Sequence, residues 1–345
     1  MHKKVTIYDI SKASGVSACC VSWVLRDHPR SREVGAETRK RILETAKKMG
    51  YRRNQLASAT RTGQVNTIAV IFDSSRHQNT SPFNQIMEGI MVEASSRCFS
   101  IKIFAEDDLD DSFKRIVENM IEKVIMLSVD ADLRERAAEL AEKYSLTLVY
   151  GYEHGHRNFP AVNVNNAAMT ANMVRYLADC GHSRIGLLCV PHRKYHYVKD
   201  RHAGFLLGME ECGLAVDPDW ISCRDDTVSA VREMLALPEE RRPTAFVALS
   251  DTIAARVQGY AVRNNLRFPE DISVVSIGDT TIASLLPFPL TTMRESLTDT
   301  GNLLVRLVMK EAVPLHPDEF NVYQTRGELV ERDSVCKLNK NIITE

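Results

Sequence analysis

From Asn66 to about residue 335, short apolar runs alternate with helical patterns, and this alternation restricts the fold more than any other feature of the chain. The runs at 67–72, 100–105, 124–129 and 147–150 are short and rich in Val, Ile and Leu, as strands buried on both faces are. Between them, 85–98, 113–121 and 133–143 carry helical periodicity, and Phe113, Ile116, Val117, Met120 and Ile121 form one stripe. A second series follows, with strands expected at 161–164, 184–190, 245–249 and 273–277. Helices are expected near 167–179, 199–212, 229–237 and 252–264. Strand–helix alternation implies parallel sheets covered on both faces. Two series imply two lobes, with a ligand cleft at the carboxyl ends of their strands.

The first 64 residues break this pattern and differ in charge. They hold 14 Lys and Arg against 5 Asp and Glu, a balance of +9, whereas the rest of the 345-residue chain balances at −10. The net charge of −1 therefore conceals a basic head on an acidic body, the asymmetry expected of a polyanion-binding module.

Within the head, Thr6 can cap a helix, Asp9 completes the box, and Val5 can staple onto Ile10. Gly15 stops that helix, and Ser17 caps a second, with Val16 and Val21 as its staple. Two short helices around a Gly-containing turn form a helix-turn-helix pattern. Val21, Val24 and Leu25 share the inward face, leaving Ala18, Cys19, Ser22, Trp23 and Arg26 on the side that would read a major groove. A third helix, about 36–49, places Ile42, Leu43, Ala46 and Met49 inward. Arg39, Lys40, Arg41, Lys47 and Lys48 leave it cationic and suited to phosphate contact.

The eight cysteines are scattered, none in a C-x-x-C pair, and do not read as a disulfide scaffold. Cys189, in an apolar run, reads as a small core hydrophobe. The vicinal pair Cys19 and Cys20 admits a redox reading, against the simpler one in which Cys20 packs inward and Cys19 faces the groove. The sequence after Met1-His2-Lys3-Lys4 turns polar, with no apolar export region and no run long enough for a membrane helix. These features predict a cytoplasmic protein with no membrane association. His192-x-x-x-His196 and His154-x-His156 resemble metal motifs only in spacing, and no metal or cofactor is expected. No phosphate loop, nucleophile elbow or carboxylate pair points to an enzyme.

These residues resemble the lactose-repressor/galactose-repressor (LacI/GalR) family. The head motifs are Val5-Thr6-Ile7-Tyr8-Asp9-Ile10, Ala13-x-Gly15-Val16-Ser17, Val21-Ser22-x-Val24-Leu25, Thr38-Arg39-x-Arg41-Ile42 and Gly50-Tyr51-x-x-Asn54. The body motifs include Ser81-Pro82-Phe83, Gly181-His182-x-Arg184-Ile185-Gly186, Arg201-x-x-Gly204-Phe205 and Asp251-x-x-Ala254. Pro269-x-Asp271-Ile272-Ser273, Pro289-Leu290-Thr291-Thr292 and Arg332-x-Ser334-Val335 close the match. The resemblance implies an all-α helix-turn-helix domain at 1–51, a hinge segment at 52–64 and a two-lobed α/β, periplasmic-binding-protein-like core at 65–335. Lobe 1 is expected at about 65–160 and 293–323, and lobe 2 at 161–290 and 324–335. The tail, 336–345, is expected to be disordered.

By resemblance, the protein is a sequence-specific transcriptional regulator, most simply a repressor. It would act as a homodimer on a palindromic DNA operator, with a hinge helix in the minor groove. The implied DNA-binding residues in the head are Thr6, Tyr8, Ser17, Ala18, Cys19, Ser22, Trp23, Arg26, Thr38, Arg39 and Tyr51. Asn54, Ala57 and Thr60 continue that set in the hinge. The implied effector residues are Ser81, Phe83, Tyr195, Arg201, Asp251 and Gly278, around a sugar or sugar derivative.

The chain departs from the family pattern at both sites. Ala18 and Cys19 stand where polar or aromatic base readers are usual, Cys20 for Thr, Trp23 for Arg, Arg53 for Pro and Thr60 for a Leu wedge. Ala18 can touch a thymine methyl but lacks bidentate hydrogen bonding, and Trp23 either packs on sugar and phosphate or fills the helix interface. In the body, Asn165 and Gly278 replace carboxylates. The loop from Pro191 to His196 is cationic and favours an anionic effector, with a merely solvated loop as the alternative. A solute-binding protein of the same core fold, or a family member with altered DNA readout, are the competing readings.

Overall fold

The computed structural model describes residues 5–26, 28–51, 65–72, 81–154, 156, 158–190 and 195–338. The chain divides into two compact units, Met1–Val65 and Asn66–Glu345.

In the head, local signals set both ends of each helix. Thr6 caps α1 (Ile7–Ser14): its Oγ1 accepts from Asp9 N at 3.3 Å, while Asp9 Oδ2 accepts from Thr6 N at 2.8 Å. This closed box satisfies amides that the first helical turn leaves without partners. Gly15 ends α1 at φ 67°, a left-handed conformation open to glycine at little cost. Ser17 caps α2 (Ala18–Leu25), accepting from Cys20 N at 3.3 Å. A 3-10 turn at Pro29–Glu33 leads into α3 (Ala36–Lys48). The helices close over Ile10, Val21, Val24, Val34, Ile42 and Ala46. Leu43, expected inward, is half exposed. It sits about 100° around the helix from Ile42, and the inward row is already filled by Ile42 and Ala46 at i and i+4.

The body follows the alternation. Its first half runs β1 (Thr67–Phe72), α4 (Ser81–Ser96), β2 (Ser100–Ala105), α5 (Leu109–Glu118), β3 (Lys123–Leu127), α6 (Ala131–Lys143), β4 (Thr147–Gly151) and β5 (Ala161–Val164). The second half begins α7 (Asn166–Asp179), β6 (Ile185–Cys189), α8 (His196–Glu211), β7 (Ile221–Cys223), α9 (Thr227–Leu235), β8 (Ala245–Ala248) and α10 (Asp251–Arg263). It continues β9 (Ser273–Ile277), α11 (Thr281–Leu285), β10 (Thr291–Glu295), α12 (Leu297–Val308), β11 (Val322–Thr325) and β12 (Gly327–Val330).

Two six-stranded sheets result, in the orders β11-β5-β4-β3-β1-β2 and β12-β10-β9-β8-β6-β7. All pairings are parallel except β10 with the edge strand β12. The chain passes between the sheets three times: after β5, after β10 and after β11.

These crossings correct the expected lobe boundaries. Residues 161–164 belong to the first sheet, because Ala161 pairs with Tyr150 and with Val322. The link from β4 to β5 contains no helix, so counting strand–helix units misassigned it. Thr291–Glu295 belongs to the second sheet, and Val322–Thr325 to the first. Three further corrections concern packing. Val117 and Met120, read as part of the α5 stripe, remain more than a third exposed, and Met120 lies beyond the helix, which ends at Glu118. Cys189 is buried but disulfide-bonded to Cys223 across β6 and β7, a pairing invisible until the strands are aligned. The described start of the tail is anchored: Cys336 N donates to Ser273 Oγ at 2.9 Å and Leu338 N to the Cys180 carbonyl at 2.8 Å.

Each lobe carries one helix pair in which backbones nearly touch. A Cβ on Gly89 of α4 would lie 2.1 Å from the Thr298 carbonyl oxygen of α12. A Cβ on Gly204 of α8 would lie 2.1 Å from the Ala167 carbonyl oxygen of α7.

Candidate nucleic-acid interface and effector cleft

In the head, Val21 and Val24 are buried, and Ala18, Ser22, Trp23 and Arg26 are half-buried on other sides of α2, with Cys19 exposed. Tyr8 is 77% exposed, which for a tyrosine outside any core leaves its ring free for a partner. Thr6 and Ser17 spend hydrogen bonds on helix caps. Thr38 and Arg39 are half-buried near the start of α3, and Lys40, Arg41, Lys47 and Lys48 are exposed along it. Tyr51 packs against the head core. Trp23 packs there too, 6.3 Å from the His28 ring and beneath the Arg30 guanidinium at 5.5 Å. Asn54, Ala57 and Thr60 lie outside the described residues.

In the body, a cleft of about 590 Å³ lies at the carboxyl ends of the strands. Val190, Leu249, Ser250 and Ile277 come from the ends of β6, β8 and β9, Glu295 from β10, and Tyr152 from just beyond β4. Three expected effector residues, Arg201, Asp251 and Gly278, line it. Phe83 and Tyr195 do not. Phe83 is buried 5.7 Å from the Tyr152 ring, and Tyr195 stacks at 5.9 Å on Tyr197, so Tyr152 and Tyr197 form the aromatic wall. Ser81 is the first residue of α4.

Arg201 and Asp251 each make several hydrogen bonds within the protein while lining the cleft. Arg201 Nη2 pairs with Glu295 Oε1 at 2.7 Å, Nε donates to Asn166 Oδ1 at 2.7 Å, and Nη1 to the Leu249 carbonyl at 3.0 Å. Its guanidinium also lies over the Tyr197 ring at 5.3 Å. Burial pulls the Arg201 pKa down, but Glu295 and the neighbouring tyrosines outweigh it, and the group is held above its ordinary value. Burial and then Glu295 push the Tyr152 hydroxyl up, keeping it a neutral donor. Asp251 accepts from Ser276 Oγ at 2.6 Å, Thr292 Oγ1 at 2.9 Å and Thr280 N at 2.7 Å. Gly278, at φ 134°, occupies backbone space that side-chain-bearing residues rarely enter. Asn165, in place of a carboxylate, caps α7 by accepting from Ala168 N at 2.9 Å.

Glu295, Tyr152 and Tyr197 escaped the sequence reading. Glu295 ends a strand whose sequence, Thr291-Thr292-Met293-Arg294-Glu295, alternates buried and exposed positions only at Arg294, and nothing nearby in sequence marks Arg201 as its partner. The paired histidine motifs divide: His154 Nε2 lies 3.0 Å from Asp200, while His156 pairs with Glu135.

A cationic helix-turn-helix followed by a two-lobed body with a ligand-sized cleft defines a class: DNA-binding proteins governed by a small molecule. Residues 6–54 match the profile described as bacterial regulatory proteins, lacI family, and residues 174–335 that of a periplasmic binding protein-like domain. The chain is 24% identical to the HTH-type transcriptional repressor PurR of Vibrio cholerae serotype O1 (strain M66-2), over 97% of this chain and 99% of that one. It is 26% identical to the HTH-type transcriptional regulator RegA of Clostridium saccharobutylicum, over 95% and 98%. The structure of the lac repressor dimer bound to operator and the anti-inducer ONPF superposes with a TM-score of 0.75 at 21% identity, covering 97% of this chain and all of that one. The chain thus joins a lacI-family helix-turn-helix domain at residues 6–54 to a periplasmic-binding-protein-like domain at residues 174–335.

Proposed function

We propose that the protein is a transcriptional repressor that binds a palindromic DNA operator as a homodimer and is controlled by a small molecule in the body cleft. The observation that carries this reading is the joining of a capped, cationic helix-turn-helix to a cleft lined by Arg201, Asp251, Tyr152 and Tyr197. Lys40, Arg41, Lys47 and Lys48 engage phosphates and set affinity, while Ala18, Cys19, Ser22 and Arg26 select sequence. The effector has an apolar face for the tyrosine wall and polar groups for the Asp251 side; sugars and their anionic derivatives fit that description. Its differential affinity for two lobe arrangements shifts operator affinity by the same free energy. The protein works in the cytoplasm, with the chromosome, and carries out no catalysis; among the described residues no helix is long and apolar enough to cross a membrane.

Selection of full-length protein on a random duplex library tests the proposal. A recovered motif with two-fold symmetry is expected, and affinity for it should fall steeply with salt as phosphate counterions are released. An asymmetric or absent motif, or a flat salt titration, would refute it.

A further inference from the structure

Two cysteines of the second lobe take part in neither the DNA face nor the cleft lining. Cys189 ends β6 and Cys223 ends β7, and they are register partners, with Leu187 opposite Ile221 and Leu188 opposite Ser222. Their sulfurs are bonded, and their Cα atoms lie 4.4 Å apart across 34 residues of sequence. Their side-by-side placement follows from the parallel pairing of β6 with β7, and β6 is held on its other side by β8. A DNA-binding protein works where the DNA is, and that compartment keeps thiols reduced; disulfides formed there are mostly transient and redox-sensing.

We propose that Cys189 and Cys223 form a reversible thiol–disulfide site, oxidised by hydrogen peroxide and reduced by a dithiol, whose state sets the mobility of the cleft wall. Cys189 is 2% exposed and Cys223 half-buried, so peroxide reaches Cys223 first. The Cys223 thiolate attacks one peroxide oxygen, the O–O bond breaks, and a sulfenic acid forms as hydroxide leaves. The Cys189 thiolate then attacks Cys223 Sγ, forming the S–S bond while the S–O bond breaks and a second hydroxide leaves. The two hydroxides take up the two thiol protons. Two thiols and one hydrogen peroxide thus give one disulfide and two waters, and a dithiol reverses the oxidation by exchange.

The position of the bond gives it reach. Val190, the residue after Cys189, lines the cleft. Beyond Cys223, the Asp225 carbonyl accepts from Arg256 Nη1 at 3.0 Å, and Arg256 lies on α10, whose first residues Asp251 and Thr252 line the same cleft. The cross-link therefore sits between two segments of the second-lobe side of the cleft, the end of β6 and, through this exposed hydrogen bond, α10. It does so at an edge strand of only three residues, whose ladder alone secures it weakly.

The compartment argument rests on the DNA-binding reading; the experiment does not. Full-length protein is reduced, freed of reductant, treated with hydrogen peroxide, alkylated and mapped by mass spectrometry. The expected product is a Cys189–Cys223 linked peptide that disappears on adding dithiothreitol to the folded protein and is absent in Cys223→Ser. Amide exchange at Val190 and at residues 251–253 should be slower in the oxidised protein by about fivefold, the low end for coupled sites, with no such difference in Cys223→Ser. Thiols that stay reduced, a link that resists excess dithiol, a different cysteine pair, or equal exchange in both states would overturn the proposal.

Discussion

Replacing Arg201 by Met tests whether the polar centre of the body is a desolvated ion pair. Arg201 is 4% and Glu295 3% exposed, and their 2.7 Å contact is backed by Asn166 Oδ1 and the Leu249 carbonyl. Met fills similar space but leaves the Glu295 carboxylate buried without its cation, a loss of about 3–5 kcal/mol. At about 2–4 °C per kcal/mol for a body of this size, the melting temperature should fall by roughly 6–20 °C. Replacing both residues by Met removes the orphaned charge as well. The lost donors to Asn166 and Leu249 and the lost partner of the Tyr152 hydroxyl then remain, about 1 kcal/mol each, and since the single variant carries the buried charge in addition, the double variant should be more stable than the single one. Thermal unfolding followed by circular dichroism at neutral pH reads both. A single variant within about 1 kcal/mol of wild type, or a double variant no better than the single, would show that the pair is not desolvated as argued.

Gly204→Ala forces a methyl onto the Ala167 carbonyl oxygen 2.1 Å away and should cost at least about 1–3 kcal/mol. Gly259→Ala, in a helix where the nearest atoms are the movable end of Arg263 at 3.5 Å, should be neutral or stabilising by about 0.5–1 kcal/mol; equal effects on chemical denaturation would contradict the packing argument. Thr6→Ala removes the acceptor for Asp9 N and should destabilise the head by about 1 kcal/mol, seen as faster amide exchange in α1. His154 is held above its ordinary 6.5, first by its hydrogen bond to Asp200. That contribution is complete below about pH 6.5 and is lost as pH rises through the higher folded value. The melting-temperature gap between wild type and Asp200→Asn should therefore be widest in mild acid and close as pH rises, and a gap independent of pH would count against the contact.

The parts of the molecule governed by local rules were legible in the sequence. Thr6, Asp9, Gly15 and Ser17 each mark a helix end through contacts within four residues, and β1, β2 and β9 begin and end where their apolar runs do. What depended on distant residues was not. The allocation of 161–164 to the first sheet follows from pairing with Val322, more than 150 residues away. Glu295 became visible as a cleft residue only once Arg201 stood beside it, 94 positions earlier. Family resemblance identified Arg201 and Asp251 as cleft residues, yet their bonds to Asn166, Glu295, Ser276 and Thr292 could be seen only in three dimensions.

The three passages of chain between the sheets act as a joint with few degrees of freedom. Two rigid bodies connected at three points cannot slide apart freely; what is left is rotation close to those points. Arg201 grips two of them at once, through Asn166 after β5 and Glu295 at the end of β10. A displacement of a few tenths of an ångström beside Arg201 then becomes an angular change whose amplitude grows with distance from the joint. The cleft is the short arm of that lever and the outer surfaces of the lobes the long one, so a small molecule held near the pivot can move distant surfaces without touching them.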